Sequence, residues 1–100
     1  MADPALDQST EDFKTVFAAN QSPFRRCYAA AAQRTPGLRG QVTAKVVISS
    51  DGTVYDLQHL GGTVTDPELV RCTLEALRSL PYRPHAGQLF AVETPVEYSP

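Results

Sequence analysis

Leu38-Arg39-Gly40-Gln41-Val42-Thr43-Ala44-Lys45-Val46-Val47-Ile48-Ser49-Ser50-Asp51-Gly52-Thr53-Val54 is the stretch that decides the fold. Leu38, Gly40, Val42, Ala44, Val46 and Ile48 fall on one face of an extended chain, and Arg39, Gln41, Thr43, Lys45 and Ser49 on the other. Successive side chains of a strand point to opposite faces, so this alternation predicts a strand with one buried and one wet side. Ser49-Ser50-Asp51-Gly52 is a turn, in which Asp51-Gly52 supplies the positive-φ residues that a tight hairpin favours. A second strand is then expected over about 53–60. Val54 and Leu57 cannot share a face of a regular strand, so either a bulge lies near Tyr55-Asp56 or both faces of this strand are partly covered.

Upstream, Thr35-Pro36-Gly37 ends a helix, because Pro36 pushes Thr35 out of the helical region and Gly37 supplies a permissive turn residue. That helix starts at Ser22-Pro23, where Ser can cap free amides and Pro loses no needed donor. Its Phe24, Cys27, Tyr28 and Ala31 form one stripe of a 3.6-residue period. An earlier amphipathic helix is expected over about 10–19, with Ser9 and Asp12 as a capping pair and Phe13, Val16 and Phe17 at helical spacing. Residues 1–8 read as a disordered polar lead-in, and 9–100 as one domain.

Downstream, Gly61-Gly62 closes the second strand and Asp66-Pro67-Glu68 opens a third helix. Leu69, Cys72, Thr73, Ala76 and Leu80 lie near its inner stripe. The two-proline connector 80–87 follows, and a last strand over about 88–98 places Phe90, Val92, Thr94, Val96 and Tyr98 opposite Ala91, Glu93, Pro95 and Glu97. A proline inside a strand is tolerated where its missing N–H faces solvent, so this strand is expected at a sheet edge. The order helix, helix, strand, strand, helix, strand gives an α+β two-layer sandwich. Its three-stranded antiparallel sheet has the order 2-1-3, with the helices on one face.

Composition bounds the function. The formal charge of −2 is spread along the chain, whereas a nucleic-acid surface would concentrate basic residues. The longest apolar run, Cys27–Ala32, is far below the roughly 20 residues of a membrane span. Met1 to Ser9 has neither the basic start nor the apolar core of a signal peptide. The only two cysteines, Cys27 and Cys72, sit on inward stripes of two helices without a Cys-x-x-Cys motif. A structural disulfide fits them better than two buried free thiols, and either fits better than a reactive or metal-binding pair. A disulfide requires an oxidising space, so the chain reads as a domain cut from a longer exported or membrane-anchored protein.

Catalytic and metal chemistry find little support. His59 and His85 would have to join the isolated cysteines without any short ligand pair, and they read as a sheet-face and a loop residue. Ser22, Ser49, Ser50, Asp51 and Asp66 have cap and turn duties, and no Gly-x-Ser-x-Gly elbow is present. Gly61-Gly62 lacks the lysine of a phosphate loop. The reading is therefore no enzyme and no cofactor. The final edge is the better candidate: an unpaired strand can accept another chain, and Glu93, Pro95 and Glu97 either guard it or select a partner.

Taken together, Cys27-Tyr28, then Pro36-x-Leu38-x-Gly40-x-Val42, Ile48-x-x-Asp51-Gly52-x-Val54, Cys72 and Pro95 resemble the AgmX/PglI C-terminal domain. That domain is the TonB-like carboxy-terminal type common in myxobacteria and their relatives. Leu80-Pro81-Tyr82 departs from it, standing where the family often shows an aromatic followed by proline. The resemblance implies a TonB-type fold, a periplasmic location, and anchorage to the inner membrane through a segment outside this chain. It also implies a non-enzymatic adaptor that engages an outer-membrane or periplasmic protein or peptide and couples it to a proton-driven inner-membrane motor, for transport or gliding motility. The partner segment would add along Leu89, Phe90, Ala91, Val92, Glu93, Thr94, Pro95, Val96 and Glu97. The alternative is a structural module, possible as a homodimer through the same surface, without force transduction.

Overall fold

A computed structural model describes residues 4–85 and 89–100. The elements follow the expected order: α1 (Pro4–Ala19), α2 (Ser22–Arg34), β1 (Gly40–Ile48), β2 (Val54–Gly62), α3 (Pro67–Ser79) and β3 (Phe90–Tyr98). The sheet is antiparallel in the order β2-β1-β3, so the α+β two-layer architecture is the one read from the pattern.

The alternation of β1 sets the core. Val42, Ala44, Val46 and Ile48 are completely buried under the helices, where they meet Leu69 and Leu77 of α3 and Phe24 and Ala31 of α2. Burying each of the Val, Leu, Ile and Phe side chains is worth about 1.5–3 kcal/mol, so one strand face anchors the whole layer. Over the other end, Phe13 of α1 stacks on Tyr82 at 5.4 Å between ring centres. Tyr82 is buried and donates its hydroxyl to the Leu77 carbonyl at 2.6 Å, and burial pushes its phenol up. The departure at Leu80-Pro81-Tyr82 thus still delivers an aromatic to the core.

Several local expectations are corrected. α1 begins at Pro4, upstream of the expected start near residue 10, because Pro is well suited to a first helical position and Ala5 and Leu6 favour helix. Ser22 does not cap α2. The cap position is Gln21, in helical conformation and with no side-chain cap bond, so α2 continues almost directly from α1. Asn20 and Gln21 instead donate their side-chain amides to the Val16 and Phe17 carbonyls at the end of α1. At the hairpin only Gly52 has positive φ, +90°. Asp51 serves as an acceptor, taking bonds from the Thr53 amide at 3.0 Å and hydroxyl at 2.7 Å. The resulting loop joins Ser49 to Thr53 and needs a glycine: a Cβ at Gly52 would lie 2.6 Å from the Tyr82 carbonyl oxygen.

β2 runs to Gly62 rather than ending near residue 60, and it carries the bulge that Val54 and Leu57 demanded. Ile48 pairs with Val54 and Val47 with Asp56, leaving Tyr55 extra; Val46 then faces Leu57. One inserted residue is what lets Val54 and Leu57 both pack on the core. A second, unforeseen bulge inserts Leu60 between His59 and Gly61.

α2 and α3 lie side by side, joined twice. Cys27 and Cys72 form a disulfide, S–S 1.99 Å with Cα atoms 5.7 Å apart. Asp66 caps α3 by accepting from the Glu68 amide at 3.0 Å and the Leu69 amide at 3.4 Å, and also binds Arg34 at the end of α2 at 2.8 Å. Arg34 reaches Glu68 as well, at 3.2 Å.

Candidate functional site

The two outer edges of the sheet differ. The β2 edge is broken by two bulges, whose inserted residues, Tyr55 (68% exposed) and Leu60 (46%), protrude into solvent. Bulges of this kind twist an edge and interrupt its row of amides. β3, by contrast, pairs with β1 without a register shift from Phe90 opposite Ile48 to Tyr98 opposite Gly40. Its outer edge is regular over nine residues.

Pro95 fixes which backbone groups that edge presents. It stands opposite Thr43 and has no N–H to donate, so Thr43–Pro95 is a non-hydrogen-bonded pair. The ladder to β1 therefore runs through Phe90, Val92, Thr94, Val96 and Tyr98. The bonds on the other side of β1 agree, since the Gln41 carbonyl and Ser49 amide point toward the β2 side. The N–H groups of Ala91, Glu93 and Glu97, and their carbonyls with that of Pro95, consequently face outward. One regular antiparallel edge thus offers three donors and four acceptors, with a single gap at Pro95.

Side chains on this strand divide as expected. Phe90, Thr94, Val96 and Tyr98 are buried against the helices with Val92 half-buried, while Ala91, Glu93, Pro95 and Glu97 lie exposed on the open face. Leu89 is exposed but precedes the strand, and Gln88 lies outside the described residues. Cys27 and Cys72 are remote from the edge in function: they line a separate shallow cleft with Arg26 and Glu75. Cys27 is buried, whereas Cys72 is only partly so, although its helical stripe placed it inward. His59 sits exposed on β2 opposite Ala44, and His85 lies in the connector with its ring edge-on to Phe90.

A groove of about 500 Å³ runs beside the β3 edge, between Pro95–Ser99 and the α1–α2 junction. Phe17, Phe24, Tyr28 and Tyr98 supply its aromatic surface, and Gln21, Arg25, Glu97 and Ser99 are its polar members. Tyr28 is held in place by stacking on Tyr98 at 5.7 Å and by donating its hydroxyl to the Leu38 carbonyl at 2.6 Å. The sequence pattern shows Phe24 and Tyr28 only as core residues. The spacing of Phe17, Gln21, Phe24 and Tyr28 across a nearly continuous helical path was the available signal. An open strand edge beside an apolar groove can bind an extended peptide: the edge supplies main-chain bonds, the groove a pocket for alternate side chains.

Comparisons with known proteins agree with this architecture. A family model for the Gram-negative bacterial TonB protein C-terminal domain matches residues 25–100. The solution structure of the TonB carboxy-terminal domain from Helicobacter pylori is similar with a TM-score of 0.68 at 25% sequence identity, over 92% of this chain and 80% of that one. No curated protein matches the chain. With most of its length matched by the family model, the chain belongs to the family of Gram-negative bacterial TonB carboxy-terminal domains.

Proposed function

We propose that this domain binds an envelope protein by accepting an extended segment as a fourth strand on the outer edge of β3, and that it couples this partner to a proton-driven inner-membrane motor. TonB carboxy-terminal domains are non-enzymatic periplasmic adaptors, and membership in that family gives the chain this coarser role. The observation that carries the finer reading is the asymmetry of the sheet: β2 is bulged twice, while β3 is regular, outward-facing and flanked by an aromatic groove. The disulfide suits an oxidising compartment. Among the described residues no helix is long and apolar enough to cross a membrane, so anchorage would come from a segment outside them. The sequence resemblance to the AgmX/PglI type points to gliding motility or transport as the process served.

The test is amide-shift mapping of the isotope-labelled domain on addition of extended segments from candidate envelope partners. Shifts concentrated at residues 90–98 and around the groove support the proposal. Shifts confined to β2 or the α2–α3 face would overturn it, and a stable dimer paired along β3 that excludes partner segments would favour a self-associating scaffold instead.

A further inference from the structure

The two sides of the β3 edge differ in chemistry. On the helical side lies the groove of Phe17, Phe24, Tyr28 and Tyr98, with Arg25 as its cation on the helix wall and Glu97 at its rim on the strand. On the open side Glu93 and Glu97 stand exposed, and among the described residues no ion pair engages either. Lys45 is opposite Glu93, but on β1, toward the centre of the sheet.

A strand added to this edge continues the pleat, so its side chains alternate between these two environments. Resting on the strand-addition reading above, we propose that the partner segment is an amphipathic extended peptide. Its helix-facing positions are apolar with an aromatic beside Val96 and Tyr98, and its open-face positions are basic beside Glu93 and Glu97. Cross-strand neighbours on one face have Cβ atoms about 4.5–5.5 Å apart, close enough for a lysine or arginine to meet either carboxylate. Arg25 opposes a cation on the groove side just as Glu93 and Glu97 oppose an acid on the open side. A slip by one residue would carry every side chain to the other face, placing basic residues at Arg25 and apolar residues in water. The same charges that attract the correct register therefore repel the slipped one, which is how an interface gains specificity from repulsion as well as attraction.

Three capped synthetic peptides of about the length of β3 test this, titrated into the isotope-labelled full chain at low salt. The first alternates lysine with valine and carries one central phenylalanine, the second replaces every lysine by glutamate, and the third replaces the phenylalanine by serine. The lysine peptide is expected to bind about tenfold more tightly than either variant, from several cross-strand pairs of modest strength. Its advantage over the glutamate peptide should shrink as salt rises. In the Glu93→Gln/Glu97→Gln double variant, both positions being exposed, the charge preference should vanish while amide shifts at Ala91 and Glu97→Gln persist. Equal binding of lysine and glutamate peptides along the edge overturns this inference and leaves strand addition standing, as does a lysine preference that survives the double variant. If no peptide moves the amides of residues 91–97, both readings fall.

Discussion

The Thr73 hydroxyl of α3 lies 2.6 Å from the phenol oxygen of Tyr98, the last residue of β3, in a buried contact between helix and edge strand. Thr73 already donates its one proton to the Leu69 carbonyl at 2.8 Å, so Tyr98 is the donor to Thr73. Burial raises the Tyr98 phenol. The contact thus fixes the end of the edge strand, and with it one wall of the groove, to the core.

This direction makes the two substitutions unequal. Tyr98→Phe removes one bond and leaves Thr73 satisfied, an expected loss of about 1 kcal/mol. Thr73→Val strands a buried phenol hydroxyl, with an expected cost of about 1–3 kcal/mol. Urea denaturation of both variants checks the order, and a larger loss for Tyr98→Phe would contradict it.

The Cys27–Cys72 disulfide closes a loop across a sequence separation of 45. Chain entropy assigns such a loop about 4 kcal/mol, a large share of the stability of a small domain. The Cys27→Ser/Cys72→Ser variant is expected to lose about that much in denaturant titrations. Neither cysteine lines the groove, so at temperatures where it stays folded the variant should bind an edge partner as the parent does.

Asp66 gives the acid limb of stability. The Arg34 hydrogen bond, helped by the Glu68 and Leu69 amides, holds its carboxyl below the usual range. A depressed carboxylate contributes fully above its unfolded pKa of about 3.9, and the contribution is lost as pH falls through the folded value. Asp66→Asn should therefore flatten the fall in urea midpoint below about pH 4 while changing its slope little near neutrality. An unchanged acid limb would show that the pair does not stabilise the fold.

Proline placed at alternate positions of β3 should separate binding from folding. Glu97 has its N–H facing outward, so Glu97→Pro is expected to leave the fold cooperative and weaken an edge partner about tenfold through one lost main-chain bond. Val96 bonds to β1 through its N–H, and Val96→Pro is expected to cost about 3 kcal/mol or more of stability. Circular dichroism melts and partner titrations read the two effects; a folded Val96→Pro and an unfolded Glu97→Pro would reverse the inferred ladder.

Much of this was legible because it depends on local period. The alternation of Val42, Ala44, Val46 and Ile48 forces a one-sided sheet, and the clash of spacing between Val54 and Leu57 announces the bulge at Tyr55. Pro95 marks its own strand as an edge, because a missing amide proton has only one comfortable place. What the pattern does not carry is long-range juxtaposition. The bulge at Leu60 leaves no apolar mismatch, since Gly61 and Gly62 have no side chain to betray a face. The groove requires Phe17, Arg25 and Tyr98, from three elements, to converge, and the Thr73–Tyr98 contact joins polar groups whose partners no spacing reveals.

A partner that adds as a fourth strand captures the outward amides of β3. Residue-resolved hydrogen exchange of the domain, free and with a bound partner segment, tests it directly. In the free domain the amides of Ala91, Glu93 and Glu97 should exchange rapidly while those of Val92, Thr94 and Val96 are protected; on binding, the first three should become protected as well. A complex that leaves Ala91, Glu93 and Glu97 exchanging as fast as before would contradict strand addition at this edge.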